Sequence, residues 1–174
     1  NGIVTYVALG ATGAGRALKY ETTDTLLSAS TGGTADADTI TVTGDGDNTV
    51  LGGLGGDTIA LKNGRDTVLG DNGIVQMDAA GNNFARVETL SRASAGGGSI
   101  VDLGGADRIT VGNGNKIVLG GDGADTIDIL GTGNRTILGD NGIVTYVALG
   151  ATGAGRALKY ETTDTLLSAS TGGT

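Results

Sequence analysis

The chain lacks several residue types on which whole classes of function depend. Its 174 residues include no cysteine, histidine, proline or tryptophan, and only one phenylalanine and one methionine. Without cysteine and histidine, the chain cannot build a Cys/His zinc site, a disulfide, or a Cys–His or Ser–His–Asp catalytic centre. No other constellation of acid, base and nucleophile is visible, so we expect that the protein is not an enzyme and has no small-molecule substrate.

The charge balance and the scarcity of aromatic residues exclude further partners. Acidic residues outnumber basic ones by 19 to 11, which gives a net charge of −8, and aromatic residues make up 3% of the chain. A nucleic-acid binder needs a basic stripe or a stacking platform, so we expect no nucleic acid. No apolar run approaches the roughly 20 residues that span a bilayer. What remains is rich in glycine, aliphatic residues, Asp, Asn and Thr, a composition that indicates a β-solenoid.

The chain repeats itself. Residues 1–34 recur without a change as residues 141–174, so the sequence has a 140-residue period. The segment Gly70-Asp71-Asn72-Gly73-Ile74-Val75 returns from Gly139 to Val144, so each repeat has two similar halves of about 70 residues. We interpret residues 1–140 as one full repeat and residues 141–174 as the start of the next. The chain is then either a window of a much longer tandem-repeat protein or an excised segment of one and a quarter repeats.

A nine-residue repeat, here called a row, occurs inside each half. Residues 52–60 and 120–128 match the pattern G-G-x-G-x-D-x-U-x at every fixed position, where U is a large aliphatic residue. Residues 43–51, 61–69 and 111–119 are weaker relatives in the same register. The first six residues of a row form a turn in which glycine permits positive φ, and the last three form a short strand with U pointing inward. Stacked rows predict an all-β fold with two parallel ladders around a thin aliphatic core.

These rows resemble the hemolysin-type calcium-binding repeats of the RTX family. The resemblance covers residues 34–73 and 100–142, about half of the chain. It implies a right-handed parallel β-solenoid, the RTX-like β-roll, in which Asp carboxylates and backbone carbonyls from turns one coil apart bind Ca²⁺. It also implies export of the unfolded chain through a type I secretion channel, followed by folding where extracellular calcium is met.

The family's binding positions can be carried over residue by residue. Asp125 is expected to pair with Asp107, 18 positions earlier, and Asp57 with Asp38, 19 positions earlier, where a one-residue bulge is needed. On the opposite edge, Asp66 is expected to face Asn48 or Asp47 in a weaker site. With the turn glycines, the predicted calcium-binding residues are Asp38, Gly53, Gly55, Asp57, Asp66, Asp107, Gly121, Gly123 and Asp125.

The chain departs from the family pattern at one pair of rows. Asn134 and Arg135 are expected to face Asn115 and Lys116, so that two side-chain cations stand where a metal ion would sit. We therefore predict only a few calcium positions per repeat. Turn geometry offers an alternative explanation of the aspartates, because Asp, Asn and Gly are preferred in tight turns without any metal.

Two segments, residues 1–33 and 74–99, interrupt the coils that we assign to residues 34–73 and 100–140. Within the first, Ile3–Leu9 and Ala17–Leu27 are predicted strands separated by a turn at Gly10–Gly15. Phe84–Ala95 is compatible with a helix, but we favour a strand because its aligned partner is rich in Thr and Tyr. The interrupting segments are either wide coils or projecting arms, and the aromatic residues in them, Tyr6, Tyr20 and Phe84, either plug a core or contact a neighbouring molecule.

These observations lead to a structural function. We expect a repeat unit of a giant secreted bacterial protein that forms a calcium-stabilised extracellular filament, stalk or surface coat. Its partners would be copies of itself, joined end to end and associating laterally in a filament. The alternative is the calcium-rigidified stalk of a type I secreted adhesin whose ligand-binding head lies outside these residues. An ice-binding solenoid fits less well, because Thr does not recur at one outward position in every row.

Overall fold

The structure, a computed structural model, describes residues 2–7, 16–22, 37–78, 83–90, 104–147 and 156–162. These residues form fourteen β-strands in three sheets, and no helix occurs among them. The prediction of an all-β fold is therefore confirmed. Within the same residues there is no helix of the length and apolarity that a membrane span requires.

The nine-residue rows form two parallel four-stranded sheets, as their pattern predicts. The outer sheet contains β3 Thr39–Thr41, β5 Thr58–Leu61, β9 Arg108–Val111 and β11 Thr126–Ile129. The central sheet contains β4 Thr49–Gly53, β6 Asp66–Asp71, β10 Lys116–Leu119 and β12 Arg135–Leu138. The chain alternates between the two sheets, and each successive outer–central pair is called a coil, numbered 1 to 4.

A six-stranded antiparallel sheet forms a third layer, the hairpin sheet. Its strands follow chain order: β1 Gly2–Val7, β2 Arg16–Thr22, β7 Gly73–Met77, β8 Phe84–Thr89, β13 Gly142–Val147 and β14 Arg156–Thr162. The strand prediction from Phe84 onward is thus confirmed over β8. The distal parts of the predicted strands and the Gly10–Gly15 turn lie outside the described residues.

The expectation of a parallel solenoid throughout is wrong for this third layer. β7 and β8, and again β13 and β14, follow a central strand and are close in sequence, and a short connection can join only antiparallel neighbours. β7 and β8 therefore pair with each other, and their outer edges pair with β2 and β13. Over the described residues, β7 with β8 and β13 with β14 are therefore hairpin pairs rather than wide coils, and neighbouring hairpins make one continuous sheet.

Each half of the repeat adds the same number of strands to all three sheets. From β3 to β8, and again from β9 to β14, the chain adds two strands to the outer sheet, two to the central sheet and one two-stranded hairpin. Neighbouring strands lie about 4.8 Å apart in any sheet, so one hairpin covers the same axial distance as two coils. This explains why only every second coil carries a hairpin, and it makes the axial advance roughly 19 Å for each 140-residue repeat.

The central sheet is buried on both faces. Adjacent side chains of a strand point to opposite faces, so Val68 joins the core shared with the outer sheet while Leu69 joins the core shared with the hairpin sheet. Val118 and Leu119 repeat this division one coil later. All four side chains are fully buried. The inward aliphatic position of the rows is thereby confirmed at Val68 and Val118, whereas the residues after it, expected to point outward, are buried because the hairpin sheet covers that face.

The aromatic residues of the hairpins pack at the margin of the second core. Tyr20, Phe84 and Tyr146 are half-buried against it, and the rings of Phe84 and Tyr146 lie 5.8 Å apart. This supports the interpretation that these residues plug a core. Tyr146 is the copy of Tyr6, whose side chain lies outside the described residues.

A threonine joins each hairpin to the next. The backbone N–H of Gly142, which opens β13, donates a hydrogen bond of 2.8 Å to the hydroxyl of Thr89 at the end of β8. Gly73 and Thr22 make the same bond, 2.9 Å long, one hairpin earlier. Thr89 and Thr22 are both buried, so no water can replace the hydroxyl. The hydroxyl thus holds successive hairpins in register.

Replacing Thr89 by valine is expected to destabilise the protein by about 1–3 kcal/mol, since a buried N–H would lose its acceptor while the shape is kept. Thr58→Val is the matched control, because Thr58 is an exposed residue of a strand. Urea unfolding of both variants gives the comparison. Equal stabilities of the two variants would contradict a linking role for Thr89.

Candidate functional site

The turns that precede the outer sheet share one feature, an aspartate immediately before the strand. The structure stacks these residues in consecutive coils, and we call the stack the aspartate edge; its members are Asp38, Asp57, Asp107 and Asp125. The glycine-rich turns allow this approach. Gly53 and Gly55 before Asp57, and Gly121 and Gly123 before Asp125, all have φ between 107° and 117°, which disfavours side chains with a Cβ.

Hydrogen bonds run along the aspartate edge from coil to coil. Oδ1 of Asp57 accepts a bond of 2.7 Å from the backbone N–H of Asp38, and Oδ1 of Asp107 accepts one of 2.7 Å from Asp57. Oδ1 of Asp125 accepts a third, 2.9 Å long, from Asp107. One carboxylate oxygen of each of these three acids therefore binds the backbone of the preceding coil, which fixes the direction of the other oxygen, Oδ2.

Each of these Oδ2 atoms and a backbone carbonyl oxygen lie on the same side of a glycine, close to where a Cβ would stand. A Cβ on Gly70 would collide with Oδ2 of Asp107 and with the carbonyl oxygen of Gly120. The same clash occurs at Gly52 and at Gly120, where the oxygen pairs are Asp57 with Gly70 and Asp125 with Gly139. Oxygen atoms of a carboxylate and of a carbonyl are what a hard cation such as Ca²⁺ takes as ligands. Each of these three oxygen pairs, here called a cradle, supplies two ligands of the kind that Ca²⁺ takes.

Asp71 adds a carboxylate that the repeat pattern does not predict. Asp71 pairs in register with Gly53, which is the second glycine of the row 52–60. An acid therefore occupies a position that the row pattern gives to glycine. Asp71 is 3% exposed, and its Oδ2 accepts a bond of 2.5 Å from the backbone N–H of Asp122. No hydrogen-bond donor reaches its Oδ1 within the described part of the chain. Asp71 is not among the predicted binding residues, although an acid in a glycine position is a signal that the sequence contains.

Burial and mutual repulsion disfavour the ionised forms of two neighbouring acids, Asp71 and Asp107. Burial, reinforced by the charge of Asp107, raises the pKa of Asp71 to about 9. Burial also raises the pKa of Asp107 to about 7, with the charges of Asp125 and Asp57 acting in the same direction. Carboxylates with raised pKa values retain protons near neutral pH unless a cation compensates them. A cation bound beside Asp71 and Asp107 would favour their ionised forms.

The turns that precede the central sheet form a second edge of different chemistry. We call it the mixed edge, and its stacked residues are Asn48, Asp66, Lys116 and Arg135. Oδ1 of Asp66 accepts hydrogen bonds from the backbone N–H and from the side-chain amide of Asn48, at 3.2 and 2.8 Å. Oδ2 of Asp66 lies 2.6 Å from the ammonium of Lys116. Both oxygens of Asp66 are thus engaged by nitrogen atoms.

The structure brings the predicted binding residues together in part. Asp38 with Asp57, and Asp107 with Asp125, are stacked as the spacing predicts, and Asp57 also meets Asp107, which lies 50 positions further along the chain. Asp66 contacts Asn48, one of its two predicted neighbours. The Lys116 backbone pairs with Arg135 as predicted, but its ammonium reaches back to Asp66 in coil 2.

Acidic side chains alone do not complete a metal centre. In the part of the chain that the structure describes, no group of three or more acidic side chains is arranged to hold a metal ion. A cation at the aspartate edge would therefore depend on the backbone carbonyls as much as on the carboxylates. The chain matches no protein-family model, no curated protein and no solved structure.

Proposed function

We propose that this chain is the structural repeat unit of a secreted bacterial protein of the RTX type, which forms a calcium-stabilised extracellular filament, stalk or surface coat. In this proposal the outer and central sheets are two faces of a right-handed parallel β-roll. The repeat has no catalytic role and binds neither nucleic acid nor a small-molecule substrate. Its partners are copies of itself.

The observation that carries the proposal is the recurrence of one hairpin within one sheet. β1 pairs with β2, and β13 pairs with β14, through the same residue partners and with a shift in register at the same place, one full repeat apart. Both hairpins belong to the hairpin sheet. A repeat that re-enters the same sheet with the same register can be followed by another copy without a new kind of interface.

The last described strands show which side chains end-to-end packing of repeats would cover. Tyr160 is the copy of Tyr20, which is half-buried because β7 pairs beyond β2. Tyr160 lies on β14, the end strand of the sheet, and is 58% exposed. Leu130 and Ile137, in the last coil, are 76% and 44% exposed. A following repeat would cover these three side chains as coil 3 covers coil 2.

Calcium supplies the stabilising charge in this proposal. The three cradles of the aspartate edge are lined by carboxylate and carbonyl oxygens, whereas the mixed edge has its own nitrogen donors. Extracellular calcium modules bind with dissociation constants of roughly 10⁻⁴–10⁻³ M. A metal ion that binds only the folded coils stabilises them by mass action, so the repeat would fold after export, where calcium is abundant.

Electron microscopy of the full-length protein, in millimolar calcium and after chelation, tests this function. We expect ordered filaments that fall apart when calcium is removed. Asp107→Asn should make the filaments unstable even in calcium, because it weakens the middle cradle of the aspartate edge. Asp45→Asn is the matched control, since Asp45 is exposed and its stacking neighbour Asn63 already accepts the equivalent bond from Asn113.

The other outcomes discriminate between the functions. Filaments that survive chelation would contradict calcium stabilisation and reduce the aspartates to turn formers. Separate thin rods in both conditions would contradict self-assembly and favour the stalk of a type I secreted adhesin.

A further inference from the structure

The ammonium group of Lys116 is enclosed by oxygen atoms. Its side chain is completely buried, and Nζ donates to Oδ2 of Asp66 at 2.6 Å and to the carbonyl oxygens of Gly64 and Asn113 at 2.7 and 2.8 Å. An ammonium has three N–H groups, so each of them has an acceptor. A buried charge with all its donors satisfied is the arrangement in which burial of an ion pair is tolerated.

The oxygen atoms that accept hydrogen bonds from Lys116 are of the kinds that bind a hard cation. One carboxylate and two turn carbonyls converge on a single point, and they come from coil 2 and coil 3. The cradles of the aspartate edge also combine a carboxylate oxygen with a backbone carbonyl oxygen. Both edges therefore offer carboxylate and carbonyl oxygens as possible ligands of a cation.

We propose that Lys116 is a built-in cation that takes the place of a metal ion at the mixed edge. Removing its ammonium opens a site for a divalent cation such as Ca²⁺ between coils 2 and 3. In the wild-type protein the ammonium therefore excludes a metal ion from this position at any calcium concentration. The inference goes beyond the proposed function and does not depend on it.

In two other turns of the mixed edge, the side chains of Asn48 and Arg135 also donate hydrogen bonds to turn carbonyl oxygens. The side-chain amide of Asn48 donates to the carbonyl oxygen of Gly46 at 2.8 Å as well as to Asp66. The guanidinium of Arg135 donates to the carbonyl oxygen of Gly131. In coils 1, 3 and 4, a side-chain nitrogen therefore binds a carbonyl of its own turn.

The proposal is tested by calcium titration calorimetry and thermal unfolding of the full chain. Lys116→Met keeps most of the apolar stem and removes the charge, and Lys116→Asp copies the aspartate edge. Each variant is expected to bind one more calcium ion per chain than the wild type, with a dissociation constant of roughly 10⁻⁴–10⁻³ M. In chelator both should unfold at a lower temperature than the wild type, and millimolar calcium should restore most of the difference.

Lys62→Met is the control, because Lys62 is an exposed lysine of a neighbouring turn and should gain no calcium ion. Adding Asp66→Asn to Lys116→Met should abolish the gained site. If neither Lys116 variant binds more calcium than the wild type, or if calcium fails to restore their folding, the proposal is overturned. A wild type that binds no calcium would refute the proposed function instead, and a gain in the variants would still support the role of Lys116.

Discussion

In the absence of calcium, the folded protein is expected to lose stability as the pH rises from 3.8, the ordinary pKa of an aspartate, toward about 9. The pKa of Asp71 is raised to about 9 and that of Asp107 to about 7. Across this interval the folded state holds protons that the unfolded state has released, so the contribution of these two groups to stability is greatest below pH 4 and falls as the pH rises. Each pKa unit corresponds to about 1.4 kcal/mol, which makes this the largest effect that we expect.

Saturating calcium should reverse the slope, because metal ligands must be deprotonated and calcium affinity therefore rises with pH. Thermal unfolding measured by circular dichroism between pH 5 and pH 9, with chelator and with millimolar calcium, gives both slopes. Asp71→Asn should flatten the slope in chelator, whereas Asp45→Asn should leave it unchanged. Identical slopes with and without calcium would show that the aspartate edge does not bind the ion.

Leu119→Ala is expected to destabilise the protein by about 2–5 kcal/mol, the usual range for truncating a fully buried leucine. Leu119 is fully buried in the core between the central sheet and the hairpin sheet. Ile137→Ala is the control in the next central strand, because Ile137 is 44% exposed and should leave a much smaller cavity cost. Urea unfolding gives both values. A loss for Leu119→Ala no larger than that of the control would mean that the hairpin sheet does not cover the central sheet.

The fold was predictable wherever contacts follow a fixed short period. The nine-residue rows place an aliphatic residue at the same point of each strand, so the pairing of Ile40 with Ile59, and of Val50 with Val68, follows from counting residues. The aspartates before these strands inherit the same spacing. The stacking of Asp38 with Asp57, and of Asp107 with Asp125, was therefore predictable from the sequence.

Contacts that cross the interrupting segment were not predictable in this way. The contact of Asp57 with Asp107, and that of Asp66 with Lys116, each join residues 50 positions apart. No local period specifies such a distance, because it depends on how far a hairpin reaches before the chain returns to the roll. The position of the Lys116 ammonium was misplaced by one coil for this reason.

The sequence by itself determined the all-β class, the 140-residue period, the parallel strands and the row of aspartates, because each depends on residue types at fixed spacing. Only the tertiary structure decided that the hairpins join into an antiparallel third layer, that Asp71 is buried beside Asp107, and that Lys116 fills an oxygen cage. Those features depend on which surfaces exclude water and on which charges become neighbours when the layers pack. Spacing along one chain does not contain that information.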